Sequence, residues 1–139
     1  MIVAYIDGGA RGNPGPAGYG VRIEDHNGNL IEAFSKPIGI ATNNVAEYNG
    51  LIAALRYALE HGHENLLIRS DSELLVKQML GEYRVKHAGL LPLHQEARRL
   101  SAQLDQVVFE HVRRARNAEA DRLANLAMDE SQRAAGTRQ

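Results

Sequence analysis

Cysteine and tryptophan are both absent from the 139 residues, and only two phenylalanines are present. Without cysteine, neither a disulfide framework nor a thiolate metal site can form. That absence fits a reducing cytoplasm, where the chain is expected to work. No apolar run approaches the roughly 18 residues that a membrane span needs, so no membrane partner is expected. No basic stretch precedes an apolar one near Met1, so a cleaved leader is not expected. A strand starting at Met1 itself would leave no room for a preceding accessory domain. Charge of one sign is missing too, with 16 Lys and Arg against 17 Asp and Glu. Nucleic-acid binding therefore cannot be argued from bulk charge, only from local chemistry. The six histidines lack the paired spacing of a metal site. His61 and His63 sit at a predicted helix end, where the helix dipole accounts for them.

What is present describes one globular domain, 44% hydrophobic and 24% charged, large enough to bury a core. Residues 2–7 read as an apolar strand. Residues 18–24 alternate and lead into a turn containing Asn27-Gly28, a hairpin signal, before a third strand over 30–37. Thr42, Asn43 and Asn44 offer capping oxygens to a helix carrying Tyr48, Leu51, Ile52, Leu55 and Leu59 at helical spacing, which ends at Gly62. A short buried strand over 66–70 precedes a helix over 72–80, a polar break, and a helix over 90–104 with Pro92 in its first turn. A fifth strand over 106–112 and a helix over 117–130 follow. The order is βββαβααβα, an α/β domain whose helical crossovers make strands one, four and five parallel. Residues 1–130 are expected to form the domain, and 131–139 a disordered tail.

Asp7 and Asp71 each follow a buried strand, where sites form at the carboxyl ends of parallel strands. Glu47 lies in the first helical turn. Asp121 sits roughly 60° from the Ala124 direction, taking about 100° per residue, and so borders the core face. Each acid has an ordinary reading. Asp7 can initiate a turn, Asp71 can cap a helix, Glu47 can form a capping box with Asn44, and Asp121 can pair with Arg122. Together they conflict, because four converging carboxylates repel unless cations neutralise them. An all-oxygen set favours Mg²⁺ or Mn²⁺ over Zn²⁺.

The segments YIDGGARGNPGPAGYG, TNNVAEYNGLIAAL, RSDSELLVKQM and RNAEADRLA resemble, in order and spacing, the motifs of ribonuclease H type 1. The likeness extends over about residues 1–128. It implies a ribonuclease H-like fold, a five-stranded mixed sheet flanked by helices. It also implies an endonuclease that hydrolyses the RNA strand of RNA/DNA hybrids by two-metal-ion catalysis, leaving 5′-phosphate and 3′-hydroxyl ends. Asp7, Glu47, Asp71 and Asp121 would be the catalytic acids that hold two Mg²⁺ ions, with Mn²⁺ as a substitute and Asp7 bridging the pair. Gly8 and Gly9 would let the backbone approach the sugar of the RNA strand. Asn13, Thr42, Asn43 and Asn44 resemble positions that contact the hybrid. Capping by Thr42 or Asn44, and a plain turn at Asn13-Pro14-Gly15, stay open beside this reading. The hybrid is the expected partner, with no obligate protein partner and a monomeric chain.

Two departures qualify the resemblance. The segment between the third and fourth motifs, GEYRVKHAGLLPLHQEARRL, is short and lacks the Trp-containing basic stretch of many relatives. The loop before the fourth motif is also short and lacks their His. Arg114 matches an Arg of the short-loop branch, and as a permanent cation it can hold phosphate but cannot act as a base. Alternatively, Arg113, Arg114 and Arg116 form only a solvated basic edge. Two further functions stay open: a catalytically silent hybrid-binding module, and a nuclease of the same fold acting on double-stranded RNA or a DNA junction.

Overall fold

A computed structural model describes residues 1–137. The elements are β1 (Ile2–Ala10), β2 (Gly15–Glu24), β3 (Leu30–Ala41), α1 (Asn43–Glu60), β4 (Asn65–Ser70), α2 (Glu73–Met79), α3 (Leu91–Ser101), β5 (Gln106–His111), a 3₁₀ turn (Arg114–Arg116) and α4 (Ala118–Thr137). The strands form one sheet in the order β3-β2-β1-β4-β5. β1 runs antiparallel to β2 and parallel to β4, and β4 runs parallel to β5. This is the mixed five-stranded arrangement expected from the order of elements.

The Asn27-Gly28 turn forms as read. The Asp25 carboxylate accepts from the Asn27 and Asn29 amides, each at 2.9 Å, and Gly28 takes φ 84°. Pro37 does not end β3. The register shifts between Ala17 and Gly18, so that Ala17 pairs with Gly39 and Gly18 with Pro37, and Gly39 takes φ 77°. A bulge on an edge strand accommodates a proline that a regular ladder would reject, and pairing resumes as far as Ala41.

α1 covers one face of the sheet over β1 and β2, with α3 packed against it, and α4 covers the other face. The stripe of Ala120, Leu123, Ala124 and Ala127 is buried against the sheet. Gly18 and Gly20 make the close fit possible. A Cβ at Gly18 would lie 2.4 Å from Ala127 Cβ, and one at Gly20 would lie 2.5 Å from Leu123 Cβ. The final helix does not stop near residue 130. It continues to Thr137, and the expected disordered tail is helical as far as the described residues reach, while residues 138–139 lie outside them. Ser131 explains the extension. It is buried, donates its hydroxyl to the Ala17 carbonyl, and accepts from the Gly39 amide at 3.3 Å. A polar residue thus fills a core-facing position by satisfying the backbone groups at the bulge. α3 ends at Ser101 rather than 104, because the bonds that follow shorten to Gln103 N–Leu100 O and Leu104 N–Ser101 O.

Candidate active site

β1 and β4 pair in parallel as far as Ile6 and Ser70, which leaves Asp7 and Asp71 as neighbours immediately beyond the last pair. Gly8 brings in the third acid. A Cβ there would lie 2.4 Å from the Ala46 carbonyl carbon and 2.5 Å from the Glu47 amide nitrogen, so the first turn of α1 rests directly on β1. The space that a side chain at residue 8 would need is filled by α1, which gives this glycine a packing role. Asp7, Glu47 and Asp71 each present a carboxylate oxygen, and these oxygens lie within 4.8 Å of one another. Asp121 joins from the first turn of α4, within hydrogen-bond reach of Asp7.

None of the ordinary roles open to these acids is the one they fill. Thr42 caps α1 by accepting from Val45 N at 3.2 Å, which places Glu47 outside the capping box. Ser72 caps α2 by accepting from Leu75 N, and so Asp71 is free of that duty. Arg122 pairs with Glu119 at 2.6 Å, not with Asp121.

The electrostatic result is strong. Burial, then the charge of Asp71 and the contact with Asp121, push the Asp7 carboxyl up to about 8. Burial raises Glu47 to about 7, against a hydrogen bond from Ser72. Asp71 is raised by burial as well, with Arg114 and the Asn117 side chain pulling it down. Its Oδ2 is buried without a hydrogen-bond partner, since Arg114 Nε at 3.9 Å is too distant to donate. An orphaned carboxylate oxygen among mutually repelling acids is the donor set that a hard divalent cation satisfies. The residues fit a hard divalent cation.

Arg114 opens the 3₁₀ turn with its side chain 82% exposed, so most of its guanidinium is free to meet a ligand beside Asp71. His111, read from sequence as a strand residue, ends β5 with Nε2 3.3 Å from the Asp71 carbonyl oxygen. Asn13 and Asn43 come together at the mouth of the site. Asn43 N donates to Asn13 Oδ1 at 3.1 Å, and Asn43 Oδ1 accepts from Ala10 N at 2.7 Å. Gly9 lies beside Asn43 and Met128. Asn44 is exposed and lines a cleft of about 430 Å³ with Gln78, Tyr83, Arg84, Lys86 and His87. Leu74 and the buried Leu90 also line it, and Gln78 is held from beneath by Tyr48, which donates to its Oε1 at 2.7 Å.

Asn117 is the site residue that sequence reasoning missed. It is buried, donates Nδ2 to the Ile6 carbonyl at 2.8 Å, and accepts from Asp121 N at 3.0 Å. One residue therefore ties the strand that delivers Asp7, through its side-chain amide, to the helix that delivers Asp121, through its main-chain carbonyl. The sequence reading starts the last helix at this residue, where an asparagine signals no more than a helix boundary.

Residues 5–127 match the family model described as reverse transcriptase-like. The chain is 51% identical over 130 residues to a bifunctional protein of Mycobacterium tuberculosis, covering 92% of this chain and 35% of that protein. It is 41% identical over 130 residues to ribonuclease HI of Halobacterium salinarum, covering 94% of this chain and 65% of that one. The chain thus spans about a third of the length of the mycobacterial relative. Among solved structures, the N-terminal RNase H domain of that mycobacterial protein, as a maltose-binding-protein fusion, has TM-score 0.93 at 47% identity, over 96% of this chain and 97% of that one. LC11 RNase H1 in complex with an RNA/DNA hybrid has TM-score 0.90 at 43% identity, over 95% and 99%. The chain belongs to the reverse transcriptase-like family and carries a ribonuclease H-like domain.

Proposed function

We propose that this chain is a divalent-metal-dependent endonuclease that hydrolyses the RNA strand of RNA/DNA hybrids, leaving 5′-phosphate and 3′-hydroxyl ends. The observation that carries the reading is the trio of Asp7, Glu47 and Asp71 oxygens within 4.8 Å, with Asp71 Oδ2 unpaired. Asp7, Glu47, Asp71 and Asp121 would hold two Mg²⁺ or Mn²⁺ ions, which when bound supply charge for activating water and for stabilising the leaving 3′-oxygen. Asn117 and Gly8 keep β1, α1 and α4 in the spacing that aims these carboxylates at one point. Asn13 and Asn43, tied to each other, present amide groups to the hybrid backbone beside Asp7. The cleft under Arg84, Lys86 and His87 offers the opposite strand a modest cationic edge. Incubating labelled RNA/DNA, RNA/RNA and DNA/DNA duplexes with Mg²⁺, Mn²⁺ or EDTA tests the reading. Cleavage of RNA in the hybrid alone, abolished by EDTA, is the expected result. Comparable cutting of the DNA duplex would overturn it, and binding without cutting would favour a silent binding module.

Arg114 supports the same chemistry from outside the acidic group. Exposed and adjacent to Asp71, it would neutralise charge on the scissile or departing phosphate. Arg114→Ala is expected to lower kcat more than it raises KM, by roughly 10- to 1,000-fold. Lys at this position restores part of the rate, because the charge survives without the planar fork. Arg113→Ala and Arg116→Ala are the controls in the same steady-state assay. Equal weakening of binding by all three, with kcat intact, would reduce Arg114 to part of a basic edge.

A further inference from the structure

The loop between β1 and β2, which carries Gly12 and Asn13, is held from two directions. On one side stands the reciprocal pair already described, Asn43 Oδ1 with Ala10 N and Asn13 Oδ1 with Asn43 N. On the other, the Arg11 guanidinium reaches across to α4. It donates to the Asp129 carboxylate, to Gln132 Oε1 at 3.0 Å and to Asn125 Oδ1 at 3.1 Å, with the Asn125 carbonyl at 3.5 Å. Residues 125, 129 and 132 recur at helical spacing on one face of α4, so a single planar fork meets a prearranged row of acceptors. Asn125 is itself fixed, donating Nδ2 to the Asp121 carbonyl at 2.9 Å. Loop, helix and acidic site therefore share one hydrogen-bonded frame.

Stability alone does not account for this arrangement. The Arg11 and Asp129 side chains are 34% and 43% exposed, and ion pairs at such exposure contribute little to folding. Several fixed acceptors on one guanidinium do, however, dictate orientation. The acceptors Asp129 and Gln132 also lie on the half of α4 beyond Asp121, and Gln132 gives the helical extension a task.

We propose that Arg11 is a positioning residue, clamping the β1–β2 loop to α4 so that Asn13 and Asn43 meet the hybrid backbone in register with Asp7 and Asp121. The proposal rests on the function proposed above, and it has a readout that does not. Hydrogen exchange of the substrate-free chain should show the Ala10 and Asn43 amides losing protection in Arg11→Ala. In steady-state hybrid cleavage, Arg11→Ala should raise KM roughly tenfold, as expected for losing hydrogen bonds to a charged group, with kcat little changed. Arg11→Lys should recover part of the loss, since Lys can still reach the Asp129 carboxylate as a point charge. Asp129→Ala, which leaves the other acceptors in place, should give a smaller rise. Because Arg11 acts through the loop, adding Arg11→Ala to Asn43→Ala should raise KM by less than the product of the single effects. Fully multiplicative effects would mean that Arg11 touches the substrate itself and would overturn the positioning role. So would unchanged amide protection, or unchanged KM with only a lowered melting temperature. A parent chain that cuts no hybrid overturns the functional reading instead, and the exchange result then decides the clamp alone.

Discussion

Asp7→Asn and Asp71→Asn are each expected to abolish hybrid cleavage while leaving a folded protein. Asp7 sits where β1, the first turn of α1 and the residue after β4 converge, and both substitutions remove a charged oxygen from the group within 4.8 Å. A bound divalent ion stabilises transition-state charge by several kcal/mol, so losing its ligand corresponds to a rate loss of roughly 10³-fold or more. The fold tolerates the change because its environment already favours a neutral group. With its carboxyl pushed up to about 8, Asp7 is largely protonated at neutral pH in metal-free protein, and an amide matches that state in size and charge. Asp71 is raised in the same direction by burial, and an amide there relieves repulsion although Arg114 loses its counter-charge. Single-turnover cleavage at saturating Mg²⁺, with circular dichroism to verify folding, is the measurement. Turnover by either folded variant within about tenfold of the parent would sink the assignment of these acids as metal ligands.

How far this site was legible in the sequence depends on the range of the interactions that build it. Asp7 and Asp71 were legible because a carboxylate after a buried strand is costly and demands a reason. The parallel pairing of β1 with β4 then places the two side by side. Glu47 was found, but its capping-box alternative failed. Thr42 starts the helix two residues earlier than that box required, and the starts of Thr- and Asn-rich helices are ambiguous at this resolution of reasoning. Pro37 and Ser131 misled for a shared reason. Each breaks a local pattern, and each is reconciled by the same bulge opposite Ala17 and Gly39, which no local window contains. Asn117 lay beyond reach altogether. Its partner, the Ile6 carbonyl, is 111 residues away, and an asparagine at a helix boundary already has a sufficient local explanation. Arg11 belongs with it, because its acceptors Asn125, Asp129 and Gln132 lie more than a hundred residues away, and Gln132 falls beyond the helix read from sequence.

The acids that serve the reaction should also make the metal-free protein sensitive to pH. Asp7 rises from an ordinary 3.8 to about 8, and Glu47 from 4.5 to about 7, in both cases chiefly through burial. Each carboxyl therefore holds its proton more tightly when folded than when unfolded. That difference stabilises the fold below the unfolded value, and it is lost progressively as pH rises through the folded value. In EDTA, the melting temperature should accordingly fall as pH is raised from about 4 to about 8, by on the order of 10 °C if a few kcal/mol are involved. The opposite trend would follow from paired carboxylates with depressed values, so the direction alone discriminates. Asp7→Asn should flatten the decline throughout and remove it above about pH 7, and Glu47→Gln should flatten only the part below about pH 7. Mg²⁺ or Mn²⁺ should raise the melting temperature most at the alkaline end, where the acids are ionised and need no proton displaced before binding. Differential scanning calorimetry of the parent and both variants, across this range with EDTA or metal, reads all of these at once. A metal-free melting temperature that rises between about pH 5 and 8 would show that the buried acids are satisfied by protein groups, leaving a divalent ion no role in relieving them.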